Sequence, residues 1–508
     1  MTINERPTPA LPAEPRRFRM FIDGEWADAG DGAVIERFSP AHDVVVSIFA
    51  KGTAADADRA VAAARRAFDD GRWSSLSGAD RAAVLLAAAR LIRERKEEIA
   101  LVETLETGKP ITQSRGEVEG AAGIFEYAAG QARALHGDSF NNLGEGMLGL
   151  VTREPIGVIG VITPWNFPFF ILCERIPFIL AAGCTVIAKP SELTSGTTVL
   201  LAEILAEAGL PAGVYNVVTG PGSVVGRVLA EHDDVDMVSF TGSTEVGRTT
   251  LKASAGNLKK VGLELGGKNP QVVFADANLD AAADGVVFGL VFNAGQCCVS
   301  GSRLVVEASI AEDFVARVVE KIGKLRIGDP LDEATQVGAI VDPRQHEKIL
   351  QLIEEGKAAG ARVMCGGGVL PTESGRFVKP TVFTDTDRSM SIVTEEIFGP
   401  VLTVQTFETP AEAIRIANDT CFGLAGSIWT SNLNKAVKTM RGLKAGRVWV
   451  NCTIAGGPEL PIGGFKQSGT GREAGKYGVE EYTEIKSTHI ELADRVHWVT
   501  ESVNWVAE

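Results

Sequence analysis

Val158-Ile159-Gly160-Val161-Ile162-Thr163-Pro164-Trp165-Asn166-Phe167-Pro168 sets an apolar, β-branched run directly against a stiff polar loop. The same pattern then recurs downstream. Further β-rich runs fall at 185–188, 214–218 and 236–240, with helical spacing over 171–182, 196–208 and 224–231 between them. Short buried strands alternating with helices are the sequence form of a parallel sheet with crossover helices. A second alternation covers 271–451, with strands expected at 271–274, 303–307, 401–407 and 447–451. Its helices are expected at 279–293, 310–322 and 342–357. At 508 residues the chain is too long for one hydrophobic core. The expected fold is therefore α/β, with two α/β domains in sequence. Upstream, Phe21-Ile22-Asp23-Gly24-Glu25-Trp26 reads as a hairpin turning at Asp-Gly, and 54–99 reads as two amphipathic helices. The segments 130–150 and 484–508 belong to neither domain; the latter carries Trp498 and Trp505 and suits packing on a partner subunit.

Composition narrows the function. A 45% hydrophobic share with 23% charged residues is that of a folded soluble protein. A formal net charge of −15 argues against a nucleic-acid or anionic-membrane surface. The 7 cysteines are scattered without a Cys-x-x-Cys pair or a Cys/His cluster, so neither a metal site nor a disulfide framework is expected. A reducing, cytoplasmic setting fits that usage. The N-terminal residues lack an apolar core of signal-peptide type, and no apolar run reaches membrane-spanning length.

Two segments carry chemistry. Phe292-Asn293-Ala294-Gly295-Gln296-Cys297-Cys298-Val299 places adjacent thiols in a loop, and Leu263-Glu264-Leu265-Gly266-Gly267-Lys268 frames a carboxylate with glycine. A thiolate that attacks a carbonyl, with a carboxylate to move protons and activate water, is covalent catalysis. With only 6 histidines, none beside these motifs, a Cys/His protease is a poor fit. Asn166, in the loop after the first strand, can donate to an oxyanion or simply satisfy a turn. Lys189 and Glu192 stand where doubly wound sheets bind ligands, or form a solvated loop. A carboxylate there suits ribose hydroxyls and repels a 2′-phosphate, favouring NAD over NADP. Gly242 and Ser243 open a helix after a strand and can admit a pyrophosphate; Gly220-Pro221-Gly222 is a similar, weaker turn.

Together with Glu395-Glu396-Ile397-Phe398-Gly399-Pro400 and Pro461-Ile462-Gly463-Gly464-Phe465-Lys466-Gln467-Ser468-Gly469, these motifs resemble the aldehyde dehydrogenase superfamily, hydrolytic type, over nearly the whole chain. The resemblance implies a Rossmann-like cofactor domain, a second α/β catalytic domain and a small β oligomerisation element, assembled as a homodimer or homotetramer. It places a flexible tail at 1–18, the NAD-binding domain at 19–129 and 151–262, the catalytic domain at 263–455, and the oligomerisation element at 130–150 and 480–508. By the same resemblance Cys298 is the nucleophile and Glu264 the general base. Asn166 and the Cys298 N–H form the oxyanion hole, and Glu473 is a candidate proton relay. NAD would meet Ile162, Trp165, Lys189, Glu192, Gly222, Gly242, Ser243, Gln345, Lys348, Glu396 and Phe398. The implied reaction oxidises an aldehyde to its acid through a thiohemiacetal and a thioester. A free thiol of pKa about 8.5 is only slightly ionised at neutral pH, so its surroundings or Glu264 must assist. Retention of nucleophile, base and amide disfavours a purely structural protein.

Resemblance places the substrate pocket at Phe167, Phe170, Glu174, Phe292, Cys297, Val299, Ile454 and Ile462. Semialdehyde-oxidising relatives commonly carry Arg where this chain has Glu174, which would repel an anionic substrate. Arg175, about 100° further around a helix, is expected to face elsewhere. Alternatively Glu174 simply pairs with Arg175 or a backbone group. Betaine-aldehyde relatives use an aromatic cage for cation–π contact, and here Glu174, Ile454 and Ile462 stand at cage positions. The expected substrate is an apolar or amino-bearing aldehyde, with betaine aldehyde or a semialdehyde as alternatives.

Overall fold

The alternation beginning at Val158 becomes an eight-stranded sheet in the computed structural model, which describes residues 10–492. Across it run Gly469–Thr470, Lys260–Glu264, Met237–Thr241, Val158–Ile162, Thr185–Lys189, Tyr215–Val217, Met20–Ile22 and Glu25–Ala27. The interior strands from Lys260–Glu264 to Tyr215–Val217 are parallel, and the outer ones pair antiparallel. Val158–Ile162 comes first in the parallel set. Two successors add on one side of it, and then the chain returns to add two on the other. That reversal opens a crevice at the carboxyl ends of the strands. Side chains alternate between faces: Ile159 and Val161 join the core of Phe169, Ile176 and Phe178, while Val158 and Ile162 join that of Val225 and Leu229. Burial on both faces explains why these strands read as unbroken apolar runs.

The second sheet runs Arg362–Cys365, Thr381–Thr384, Val401–Phe407, Arg303–Glu307, Pro270–Val273, Ala425–Trp429 and Arg447–Val450, parallel except at its first pair. The chain leaves the first sheet at Glu264 and enters the second at Pro270. The carboxyl edge of one sheet thus leads into the amino edge of the other. A small antiparallel sheet joins Thr483–Glu491, Met147–Pro155 and Asp138–Phe140. Residues 493–508, with Trp498 and Trp505, lie outside the described residues.

Several expectations change. The tail expected at 1–18 ends earlier, because Arg16–Phe18 pairs in parallel with the strand Val45–Ala50; its residues 1–9 lie outside the described ones. Residues 130–134 complete the helix Ile111–Ala134. The two helices expected over 54–99 are three, since Arg95 leaves helical geometry and Lys96–Thr107 starts anew. The helix expected at 171–182 is split into Pro168–Cys173 and Ile176–Ala182. Pro177 explains the break: it offers no N–H, and its ring would clash with the carbonyl of Cys173. The helix expected at 279–293 stops at Val291. Among the described residues no helix is long and apolar enough to cross a membrane.

Candidate active site

Helix Leu279–Val291 ends in a loop whose backbone is left-handed at three successive residues: Asn293 (φ 50°), Ala294 (φ 53°) and Gly295 (φ 73°). The conformation costs roughly 1–2 kcal/mol for a residue with a Cβ, so the surroundings must impose it. Gly295 is required by space as well, since a Cβ there would lie 2.3 Å from the carbonyl carbon of Gly399. Buried amides impose the rest. Asn293 Nδ2 donates to the Asn166 carbonyl (2.8 Å). Gln296 Nε2 donates to the carbonyls of Asn293 (3.1 Å) and Ala339 (3.3 Å), while its Oε1 accepts from Val341 N–H (2.9 Å). Asn269 Nδ2 donates to the carbonyls of Cys298 and Ser300, each at 2.8 Å. Gln296 and Asn269 therefore hold the thiol loop in place.

Cys298 sits half-buried beside buried Cys297. A hydrogen bond with Cys297, burial, and the carboxylates of Glu396 and Glu174 push its thiol well above the usual range. Glu264 ends its strand opposite Thr241 and Gly469. Its Oε1 is buried and accepts no hydrogen bond among the described residues. Burial raises its carboxyl well above the ordinary value; Arg175 opposes the shift, while Glu473 and Cys298 add to it. Both groups are thus shifted toward their protonated forms, and raising the pH favours the reactive form of both. Asn166 Nδ2 donates to the Gln296 carbonyl (3.0 Å), leaving its second hydrogen for another acceptor.

Glu473 is fully engaged below the site. It accepts from Tyr482 Oη (2.8 Å) and Ser239 Oγ (3.1 Å) and pairs with Arg175 Nε at 3.3 Å. Arg175 also donates to Ser239, Thr241 and the Ile171 carbonyl. Its direction away from the pocket agrees with expectation, yet its place in this buried network was not legible. Nor does Arg175 neutralise Glu174 by direct contact, because its guanidinium is committed elsewhere. Glu174, at the break between the two helices, makes no side-chain hydrogen bond or ion pair among the described residues. Burial lifts its carboxyl to about 7, against the pull of Arg175 and Arg447.

Phe167, Ile171 and Cys297 form one apolar cluster with Phe170, Phe292 and Val299 packed on it. The Phe167 and Phe292 rings stack at 5.6 Å. Ile171 is a wall residue that sequence reading did not name. Ile462 packs instead on the first sheet's core and bridges to Glu473 through its backbone. Ile454, at φ 50°, belongs to none of the apolar clusters among the described residues.

Ile162, Trp165, Lys189, Glu192, Gly222, Gly242 and Ser243, expected around a dinucleotide, stand at or after the carboxyl ends of the first sheet's strands. Lys189 ends its strand buried, 3.4 Å from the exposed carboxylate of Glu192, and burial lowers its ammonium. A Cβ on Gly222 would lie 3.6 Å from Lys189 Nζ, and one on Gly226 3.8 Å from Ile162. Ser243 caps the helix Thr244–Ala253 by accepting from Val246 N–H, and a Cβ on Gly242 would lie 2.6 Å from the Phe240 ring. Trp165 meets Phe398 edge-on at 5.3 Å. Glu396 accepts from Gly267 N–H (3.0 Å), and a Cβ on Gly266 would lie 2.0 Å from its carboxylate. Gln345 and Lys348 donate to backbone carbonyls of 396–398, so both hold this segment in place. Glycine cradles, capped amides and paired Lys189 and Glu192 suit a dinucleotide. Among the described residues no cluster suits a metal ion.

The aldehyde dehydrogenase family model matches residues 26–488. The chain is 42% identical to betaine aldehyde dehydrogenase of Bacillus subtilis over 92% of its own length and 96% of that protein. An NAD-dependent aldehyde dehydrogenase from Sinorhizobium meliloti superimposes with a TM-score of 0.94 at 51% identity, covering 95% of this chain and 96% of that one. An indole-3-acetaldehyde dehydrogenase in complex with NAD+ superimposes with a TM-score of 0.93 at 45% identity, covering 94% and 98%. Sequence motifs, sheet order and these full-length likenesses agree: the chain belongs to the aldehyde dehydrogenase family.

Proposed function

We propose that the chain oxidises an aldehyde to its carboxylic acid with NAD, using Cys298 as nucleophile, Glu264 as base, and Asn166 with the Cys298 N–H as oxyanion donors. The observation that carries it is the convergence of a half-buried thiol, an amide with a spare hydrogen, and a buried carboxyl oxygen with no hydrogen-bond partner among the described residues. Cys298 adds to the carbonyl carbon, and Asn166 holds the oxygen that becomes negative. Bound NAD supplies the hydride acceptor. Glu264 then takes a proton from the water that cleaves the Cys298 thioester. Cofactor contacts are assigned to Ile162, Trp165, Lys189, Glu192, Gly222, Gly242, Ser243, Glu396 and Phe398, with Gln345 and Lys348 supporting the last two. Changing Asn166→Ala should lower kcat/KM about 10²–10³-fold by removing one oxyanion donor. Parent-like turnover would remove Asn166 from the reaction.

The substrate is an apolar or amino-bearing aldehyde. The Phe167–Phe292 wall suits an apolar chain, and Glu174 offers charge to a cation. A cationic aminoaldehyde should therefore gain on an uncharged aldehyde of equal length as pH rises through about 7, where Glu174 ionises. The gain in the kcat/KM ratio should be about fivefold, near 1 kcal/mol for a partly exposed ion pair. It should vanish in Glu174→Gln; a flat ratio in the parent enzyme would exclude Glu174 from selection. Glu473 is assigned to fixing Arg175 rather than to relaying protons.

We assign a cofactor part (19–129 and 151–262), a catalytic part (263–455) and an assembly element (130–150 and 480–508); the three sheets support it in outline, although 130–134 belong to the helix Ile111–Ala134 and Met147–Pro155 straddles one boundary. Thr483–Glu491 is an edge strand with Ile485 exposed, which supports assembly as a homodimer or homotetramer. All 7 cysteines are free, in keeping with a cytoplasmic location.

A further inference from the structure

We infer that Glu103, Lys109, Gln113 and Glu117 form a buried positioning unit for the Asn166–Phe167 segment, acting on it from two sides. Lys109 ends the turn after the helix Lys96–Thr107, with its ammonium 2.8 Å from Glu103 Oε1 and 2.6 Å from Glu117 Oε2. Lys109 and Glu103 are sealed from solvent, and Glu117 nearly so. The same ammonium lies 4.3 Å from the centroid of the Phe167 ring. That contact fixes one residue of the segment by cation–π attraction in a desolvated setting.

The second arm runs through Gln113. Its Nε2 donates to Glu117 Oε1 (2.9 Å), and its Oε1 accepts from Asn293 N–H (3.2 Å). Asn293 in turn donates from Nδ2 to the Asn166 carbonyl at 2.8 Å. One arm therefore ends on Phe167 and the other on Asn166, its neighbour in the chain. A buried ammonium between two carboxylates is weak evidence for stability, because an apolar replacement often serves as well. What such a unit supplies is fixed geometry, and here one end reaches the residue that would hold the oxyanion and the other its chain neighbour. Burial raises the Glu117 carboxyl, while the Lys109 ammonium pulls against that shift.

The inference rests on the assignment of Asn166 as an oxyanion donor, and a double-mutant cycle separates the two. Lys109→Met would strand two buried carboxylates and threaten folding, so the cycle uses half-buried Gln113. The rate of the first NADH-forming turnover is measured in the parent, Gln113→Met, Asn166→Ala and the double variant. Gln113→Met should slow that turnover about tenfold, a fraction of what a 1 Å misplacement costs, with KM for NAD unchanged. In the Asn166→Ala background it should have no further effect. An equal loss in both backgrounds, or none in either, would overturn the positioning role while leaving Asn166 in place. An Asn166→Ala enzyme as fast as the parent would remove the donor assignment itself, and the inference with it.

Discussion

Replacing Cys298 by Ala should abolish NADH formation, lowering kcat at least ~10⁴-fold, as expected when the nucleophile of a covalent mechanism is lost. The thiol loop explains why no neighbour can substitute. Cys297 is buried in the wall formed with Phe167 and Ile171, whereas Cys298 is half-buried and its carbonyl is tied by Asn269. The variant should stay folded, because the loop is held by Asn293, Gln296 and Asn269 and not by the thiol. Steady-state assays at matched protein concentration, with NAD binding followed separately, check both statements. Turnover within tenfold of the parent would transfer the nucleophile to another residue.

Replacing Glu264 by Gln should separate the two halves of the reaction. The first half needs the thiol, the oxyanion donors and the hydride acceptor, and it should yield a burst of one NADH per active site. The second half needs a base for water, so steady-state kcat should fall about 10²–10⁴-fold. In the parent, burial raises the Glu264 carboxyl above its ordinary value, Arg175 opposes the shift, and Glu473 and Cys298 add to it. Its base form therefore grows as pH rises, and kcat should climb with pH through a midpoint above the ordinary carboxyl range. Glu264→Gln should lose that climb in kcat while keeping a pH-dependent burst rate set by the Cys298 thiol, which is also raised. A variant with full kcat and no burst would show that Glu264 does not activate water.

Much of the architecture was legible because it rests on local pattern. Strands Val158–Ile162, Arg303–Glu307 and Val401–Phe407 fall where β-branched runs predict them, since both faces of their sheets are buried. The misses are places where one residue interrupts a helical pattern. Pro177 and Arg95 break helices whose apolar spacing continues across the break. The left-handed turn at Asn293 and Ala294 gives no local signal, because distant groups such as the Ala339 carbonyl and Val341 N–H anchor it through Gln296.

Within the candidate site, the paired thiols, Glu264 and Asn166 were candidates from their glycine and proline frames, and the family resemblance chose Cys298 over Cys297. The residues that hold them were not. Asn269, Arg175 and Gln113 act through partners remote in sequence, and nothing in their immediate neighbours marks them. Glu174 shows the reverse. Pairing with Arg175 was a reasonable expectation from adjacency, yet the helix break sends that guanidinium to Ser239, Thr241 and Glu473. Ile454 and Ile462 were placed in the pocket by resemblance, but the structure leaves the apolar wall to Phe167, Ile171 and Phe292 with their neighbours.

The central claim is that Cys298 carries the acyl group and Glu264 releases it. Its most direct test is acid quenching of Glu264→Gln during turnover of an aldehyde with NAD, followed by peptide mass spectrometry. The prediction is an acyl adduct on Cys298, near one per subunit and matched by the NADH burst. An adduct on Cys297, or sustained NADH formation with Cys298 unmodified, would contradict it.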